Sequence, residues 1–377
     1  MKNSSIFQNV TLNVKESPAP RHIDTLQQIA PGILLVDRII SPIWYIVGLF
    51  GNTLSAVIWF GKSNRKNSSA IYQGILAIVN TFFLLAHFFM ELNYAWGIQI
   101  YDKPVACEAF SVFLMIPQYL SPMLVLAFTV ERYIAVCHPF EKRKFCTVRR
   151  AFIVTFCMFI ASLSLASVQA YIWDYDPKIK LCAHLSYGDR EFEKIWTVIT
   201  EVLHFLLIPL CVLVFNILVI IEIRKITKRD PVRRYSGHGG SQTSTVTLLS
   251  VSFYFICTLL PASIVYAMQS LLPPGNKMTL ENMMSDPKWQ KYFQYLTIRK
   301  VVEEICLSNQ ACYFFIYYIT GRLFRRRVHE IFCKYRCFRR KEISNVSKEY
   351  GVAMYSPVAS NDHNANNQEE TTMSNNC

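Results

Sequence analysis

Charged residues are scarce in this sequence. Asp, Glu, Lys and Arg make up 17% of its 377 residues, whereas 52% are hydrophobic. Soluble domains average about 25% charged residues and mix them with apolar residues on the scale of a helix turn. Here the charges lie in short segments between long apolar runs. The sequence therefore predicts an integral membrane protein.

Signals for several other protein classes are also missing. The twelve cysteines include no CxxC pair and no Cys/His cluster with zinc spacing. No convergent His/Ser/Asp set indicates an enzyme, and we expect neither a metal nor another cofactor. The net charge of +13 does not indicate a nucleic-acid partner, because the basic residues lie in short loops between apolar runs. Residues 1–38 lack the apolar core of a signal peptide, so we expect the first hydrophobic helix to direct membrane insertion.

The apolar runs predict seven transmembrane helices. A helix needs roughly 20 apolar residues to cross a bilayer core of about 30 Å. Six runs without charged residues approach or reach that length: Ile39–Phe60, Ala70–Met90, Ala109–Val130, Ala151–Trp173, Val202–Ile221 and Val246–Leu272. A seventh run, Ile305–Gly321, reaches it only by including Glu303 and Glu304. The predicted fold is an all-α, seven-helix bundle over residues 39–320.

The basic residues predict the orientation. They are concentrated in alternate loops and after the seventh run, in Lys62–Lys66, Lys142–Arg150, Arg224–Arg234 and Arg322–Arg327. Cytoplasmic loops carry such an excess of Lys and Arg. We therefore expect residues 1–38 outside the plasma membrane, where Asn3 and Asn9 lie in glycosylation sequons.

The chain after the seventh run divides into two predicted segments. In residues 321–340, apolar residues recur at helical spacing among arginines, which predicts an amphipathic eighth helix on an anionic lipid surface. Cys333 and Cys337 near its end are either palmitoylation sites or unmodified thiols. Residues 341–377 are rich in Asn, Ser, Thr and Glu and are expected to form a disordered cytoplasmic tail.

Two segments carry a family resemblance. Glu131–Phe140, with the sequence ERYIAVCHPF, resembles the signature at the cytoplasmic end of the third helix in rhodopsin-like G-protein-coupled receptors. Phe315–Arg325, at the end of the seventh helix, resembles peptide receptors. The resemblance implies that Arg132 pairs with Glu131 at rest and is released toward a heterotrimeric G protein on activation. It also implies arrestin binding through a phosphorylated tail.

The same resemblance identifies candidate coupling and switch residues. These are Glu131, Arg132, Tyr133, Pro139, Phe140, Pro209, Phe255, Pro261 and Tyr317. The sequence departs from the family pattern at several positions. Asn80 replaces an Asp, Ile217 a Tyr, Leu259 a Trp, and Tyr313-Phe314 an Asn-Pro. We expect no bound sodium ion, because Asn80 does not supply the aspartate counter-charge.

A disulfide between Cys107 and Cys182 is implied by the resemblance. Cys107 lies 25 residues before Arg132, which is about 37 Å along a helix, so it is at the outer end of the third helix. Cys182 is the only cysteine in the second outer loop. Apolar residues alternate around Cys182, as expected for a short β-hairpin like that of peptide receptors.

The ligand pocket is expected to be acidic. Leu114 stands where monoamine receptors have Asp, and Leu307 where opsins have their retinal-binding Lys. Charged groups inside a membrane usually face a cavity or a partner. By register with the family's helices, Glu91, Glu201 and Glu303 point inward. The predicted ligand-binding residues are Glu91, Leu114, Gln118, Glu201, Phe205, Tyr266, Arg299 and Glu303.

Two interpretations of these acids remain open. They bind a cationic ligand group such as Arg, or they pair internally, since Arg299 and Lys300 each precede a Glu by four residues. The sequence is most similar to invertebrate FMRFamide-like neuropeptide receptors, and an acidic pocket fits peptides ending in Arg-Phe-amide. The alternatives are a receptor for a small molecule or odorant, and a transporter, although no inverted repeat indicates the latter.

Overall fold

The computed structural model describes residues 31–62, 64–177, 180–184, 190–229, 239–268, 272, 282 and 285–333. The chain divides into two compact units, Met1–Gly321 and Arg322–Cys377. The glycosylation sequons at Asn3 and Asn9 and the predicted tail lie outside the described residues.

The first unit is a bundle of long helices, as predicted. Six of them are uninterrupted: α1 (Pro31–Trp59), α2 (Ser68–Tyr94), α3 (Ala106–Cys137), α4 (Val148–Ser167), α6 (Gly239–Met268) and α7 (Pro287–Thr320). The fifth, α5, has three consecutive parts: an α-helix Arg190–Glu201, a π-helical turn Val202–Leu207 and an α-helix Ile208–Arg229. By length and composition, six helical stretches of the described chain can cross a membrane, and α7 is the additional, more charged helix.

Local capping explains where several helices begin. The side chains of Asn67 and Thr147 accept hydrogen bonds from backbone N–H groups in the first turns of α2 and α4. Asp286 does the same for α7, and Pro287 occupies its first turn. Short polar side chains favour such positions, and proline fits the first helical residue because its missing N–H has no helical partner there.

α1 and α7 begin well before their predicted apolar runs. α1 begins at Pro31 instead of Ile39, because Asp37 is buried within the helix rather than exposed before it. α7 contains 34 residues and begins well before Ile305. That length corresponds to about 51 Å, which exceeds a bilayer core of about 30 Å. The charged residues that ended the predicted runs therefore lie inside these helices.

The helices form a closed arrangement around α3. α1 packs against α2 and α7, α6 packs against α5 and α7, and α3 contacts α2, α4, α5 and α6. Large apolar side chains such as Ile46, Phe156 and Val214 are exposed on the outer faces. Extensive exposed apolar surface is expected where a protein contacts lipid.

The regular hydrogen bonding of α5 changes beside Pro209. The π-helical turn Val202–Leu207 lies immediately before this buried proline. Proline has no N–H and cannot bond the carbonyl four residues earlier, and a π-helical turn accommodates such an interruption. The turn separates the first helical part of α5, Arg190–Glu201, from the longer part, Ile208–Arg229.

A two-stranded hairpin connects α4 to α5. Its strands, β1 (Trp173–Asp176) and β2 (Leu181–His184), are antiparallel, with Tyr175 opposite Cys182. The hairpin predicted around Cys182 is confirmed.

The second unit begins with a helix over 322–333, in agreement with the predicted eighth helix. Arg326 and Arg327 donate hydrogen bonds to the two carboxylate oxygens of Glu330. Cys333 is exposed near the helix end, whereas Cys337 lies outside the described residues. Palmitoylation of both stays a prediction.

Candidate functional site

A cavity of about 210 Å³ lies among six helices of the first unit. It is lined by residues of α1, α2, α3, α5, α6 and α7, together with β1 and β2. The structure brings together seven of the eight predicted ligand-binding residues there: Glu91, Leu114, Gln118, Glu201, Phe205, Tyr266 and Glu303. Most of the other lining side chains are apolar or aromatic.

Lys300 is the centre of a buried ion cluster on one side of the cavity. Its Nζ is 3.4 Å from Glu91 Oε1 and 3.3 Å from Glu304 Oε1, and it also pairs with Asp37. The Ser41 hydroxyl donates a 2.7 Å hydrogen bond to Glu304 Oε1. The cluster connects α1, α2 and α7. Buried charges are tolerated when they are paired in this way.

Arg299 is the predicted ligand residue that does not line the cavity. Its side chain is 2% exposed, and its Nε donates a 2.7 Å hydrogen bond to Glu303 Oε1. The guanidinium lies over the Tyr266 ring, 5.1 Å from the ring centre. Arg299 and Glu303 are neighbours on the same face of α7, because they are four residues apart. Glu303 lines the cavity and Arg299 does not.

Glu201 has a different environment on the opposite wall. It is the last residue of the outer segment of α5 and is partly exposed to the cavity. Its carboxylate makes neither a hydrogen bond nor an ion pair with any residue that the structure describes. Aromatic rings surround this region: Phe205 meets Tyr266 edge-on at 4.9 Å, and Tyr119 stacks on His204 at 4.4 Å.

The predicted disulfide lies at the mouth of the cavity. Cys107 at the start of α3 is bonded to Cys182 of β2, with their Cα atoms 5.4 Å apart. The backbone N–H of Cys182 donates a 2.8 Å hydrogen bond to Asp102. Tyr101 stacks on Phe110 at 4.1 Å, and burial raises the pKa of the Tyr101 phenol well above its ordinary value. The hairpin is thus attached to α3 by a covalent bond and to the loop between α2 and α3 by a hydrogen bond.

Of the residues that depart from the family pattern, Asn80, Leu259 and Tyr313 are buried inside the bundle, whereas the Ile217 side chain is exposed. Ser121 donates a 2.9 Å hydrogen bond to Asn80, which connects α3 to α2. Tyr313 donates to Asn309, and Asn309 donates to Thr258, at 2.5 and 2.6 Å. This chain of hydrogen bonds connects α7 to α6 directly below the cavity, where Leu259 forms part of the lining.

The end of α3 that carries Glu131 is joined to the start of α2. Glu131 is buried, and its Oε1 accepts hydrogen bonds of 2.9 Å from Ser68 and 2.6 Å from Ser69. These serines begin α2, where a carboxylate is also favoured by the helix dipole. The pairing of Glu131 with Arg132 implied by the resemblance stays a prediction.

The other predicted coupling residues occupy two environments. Pro209, Phe255 and Tyr317 are buried within the bundle, and Pro261 is partly buried. Tyr133 contacts Phe215 of α5, with ring centres 5.3 Å apart. Pro139 is exposed, and the Phe140 side chain is 97% exposed. An aromatic side chain so exposed is available for contact with a partner.

The sequence reasoning missed several residues of this arrangement. Asp37 was assigned to the outer segment, although its interruption of an apolar helix was a signal for a buried partner. Ser68 and Ser69 carry no sequence motif that indicates their contact with Glu131. His87, which lies 2.8 Å from the Tyr45 hydroxyl and lines the cavity, carries no motif in the sequence.

Comparisons with known proteins agree with this arrangement. Residues 51–299 match the model of the family described as 7 transmembrane receptor (rhodopsin family). The chain is 27% identical over 311 residues to neuropeptide receptor 18 of Caenorhabditis elegans, covering 74% of this chain and 63% of that protein. It is 26% identical over 145 residues to the neuromedin U receptor homolog nmur-2 of the same organism, covering 37% of this chain and 36% of that protein.

A third relative is the FMRFamide receptor of Drosophila melanogaster, 29% identical over 133 residues that cover 31% of this chain and 23% of that protein. The match to each of these three relatives therefore spans less than two thirds of the relative's length. The family match covers more than half of the chain and confirms a multi-pass receptor rather than an enzyme. The chain belongs to the rhodopsin family of seven-transmembrane receptors.

Proposed function

We propose that this receptor binds an extracellular neuropeptide with a cationic, Arg-containing and amidated end, and that it activates a heterotrimeric G protein. The observation that carries the proposal is the charge of the cavity. Four carboxylates and one ammonium group line it: Asp37, Glu91, Glu201, Glu303 and Lys300. Glu304 pairs with Lys300 and Arg299 pairs with Glu303, and neither Glu304 nor Arg299 lines the cavity.

The charge balance of this site favours a cationic ligand. The internal cations do not match the number of acids, so the described cavity keeps an excess of negative charge when its acids are ionised. A bound guanidinium reduces that repulsion and forms charge-assisted hydrogen bonds, which are stronger than neutral ones. Its planar face can also stack on cavity-lining aromatic rings such as Phe205 and Tyr119.

The size and charge of the cavity also favour an amidated peptide end. A cavity of about 210 Å³ between helices admits the end of a peptide rather than a folded protein. Amidation removes the negative charge of a C-terminus, which the acids of the cavity would otherwise repel. The names of two relatives, a neuropeptide receptor and an FMRFamide receptor, support the same ligand class.

The cytoplasmic surface supports coupling to a G protein. The exposed Phe140 is followed by basic residues Lys142, Arg143 and Lys144 in a short helix. A single exposed aromatic residue can serve as the anchor of an interface. We propose that the N-terminus is extracellular, and that arrestin binding to the tail and lipid binding by the eighth helix complete the receptor's contacts.

The direct test is a signalling assay in cells that express the receptor. A synthetic peptide ending in Arg-Phe-amide and its citrulline analogue differ in the charge of one side chain. We expect a calcium or cAMP response that is stronger for the Arg peptide, and a loss of the response in Phe140→Ala at equal surface expression. A response to neutral small molecules or odorants with none to peptides would favour the alternative receptor class.

A further inference from the structure

The acids of the cavity differ in whether they already have a cationic partner. On the side formed by α1, α2 and α7, the carboxylates of Asp37, Glu91 and Glu304 surround Lys300. Lys300 is itself buried there. A guanidinium that entered this cluster would meet the positive charge of Lys300, and like charges repel strongly at such sites.

Glu303 is also engaged by an internal cation. Its Oε1 accepts the 2.7 Å hydrogen bond from Arg299, and its side chain is 22% exposed. Arg299 is held against the Tyr266 ring and is almost completely buried. A ligand cation on Glu303 would therefore have to share the carboxylate with a guanidinium that is fixed in place.

Glu201 is the cavity carboxylate for which the described chain provides no cationic partner. It lies on α5, whereas the carboxylates around Lys300 belong to α1, α2 and α7. The ring of Phe205, four residues further along α5, lines the cavity, and so does the Tyr119 ring, which stacks on His204 of α5. This wall therefore combines an accessible carboxylate with aromatic surfaces, which are the two features that a guanidinium binds.

We infer that Glu201 is the specificity-determining residue of this receptor and pairs with the guanidinium of the ligand. The inference rests on the proposed function and narrows it from the whole cavity to one carboxylate. The ligand's cationic group lies on the α5 side, and the Lys300 cluster excludes it from the α1–α2–α7 side. Glu303 and Glu91 serve the internal ion pairs that shape the cavity.

The test is a charge exchange between receptor and ligand. The probes are three amidated synthetic peptides that differ at the position before the terminal Phe-amide, which is Arg, citrulline or Glu. The variants are Glu201→Gln, Glu201→Arg and Glu303→Gln. The matched control is Glu191→Gln, on the same segment of α5, where the acid is exposed and pairs with Lys194. Surface expression is measured for every variant.

We expect Glu201→Gln to raise the half-maximal concentration of the Arg peptide by roughly tenfold or more and to leave the citrulline peptide unchanged. Glu201→Arg is expected to respond to the Glu peptide more strongly than the wild type does. Glu303→Gln and Glu191→Gln are expected to keep the ratio between the Arg and citrulline peptides.

Two results would overturn the assignment while leaving the proposed function in place. The first is that Glu201→Gln keeps the wild-type preference for the Arg peptide over the citrulline peptide. The second is that Glu303→Gln, rather than Glu201→Gln, loses this preference. A wild-type receptor that responds equally to the Arg and citrulline peptides, or to neither, would overturn the proposed function itself and the assignment with it.

Discussion

Removal of the Lys300 charge is expected to destabilise the receptor strongly. The substitution Lys300→Met keeps an apolar stem of similar length but leaves Asp37, Glu91 and Glu304 buried without their cation. Removing one partner of a buried ion pair typically costs about 3–5 kcal/mol. The cost belongs at the upper end of that range, because three carboxylates lose the same counter-charge.

The assay is the thermal unfolding of purified receptor in detergent, combined with surface expression in cells. We expect a clearly lower melting temperature for Lys300→Met and reduced delivery to the surface. Lys288→Met is the matched control, since Lys288 is exposed on the same helix. The combination of Lys300→Met with Glu91→Gln should lose less stability than the sum of the two single variants, because the residues interact directly. A Lys300→Met receptor as stable as the Lys288→Met control would refute the reasoning.

Two further predictions concern the ends of α3. Replacing Cys107 or Cys182 by Ser removes a disulfide, and such bonds typically contribute about 2–4 kcal/mol to folding stability. Each single variant should lose surface expression and ligand response. The double variant should be no worse than either single variant. Full response in both single variants would exclude a role for the bond. Ser69→Ala removes the 2.6 Å hydrogen bond to Glu131. Hydrogen bonds to charged groups contribute about 1.5–3 kcal/mol. Because α3 is then held less firmly against α2, agonist-independent nucleotide exchange should rise. An unchanged basal rate at equal expression would show that this bond does not restrain α3.

Much of the fold follows from local features of the sequence. The apolar runs predict the spanning helices because lipid requires continuous apolar surface and internally satisfied backbone groups. The boundaries differ where a charge is buried by a distant partner. The first predicted run begins only after Asp37 and Arg38, yet Asp37 lies inside α1, where Lys300 of α7 pairs with it. That pairing joins residues that are far apart in the sequence, so no local sequence pattern indicates it.

The sequence indicated which residues line the candidate site better than it indicated which of them pair with one another. The register of the helices correctly indicated that Glu91, Glu201 and Glu303 line one cavity. The four-residue spacing also indicated the pairing of Arg299 with Glu303, although it did not decide between this pairing and a ligand contact. The sequence could not separate Glu201 from the other acids, because their difference depends on contacts between helices.

The contacts near Glu131 and Arg132 also depend on two helices, so the sequence of either helix alone does not indicate them. By the same family resemblance, Ser241 stands where the family often has a Glu, which predicts weak resting restraint of Arg132 and measurable basal signalling. The side chain of Ser241 lies outside the described residues. The restraint that the structure does describe, the bonds of Ser68 and Ser69 to Glu131, joins two helices and has no signature in either one alone.

The central claim is that the cavity recognises a cationic peptide end. It is tested most directly by the equilibrium dissociation constants of a peptide ending in Arg-Phe-amide and of its citrulline analogue, measured on the same purified receptor in lipid nanodiscs. A preference of tenfold or more for the Arg peptide corresponds to about 1.4 kcal/mol, and this is the result that the account predicts. Equal dissociation constants for the two peptides would contradict it.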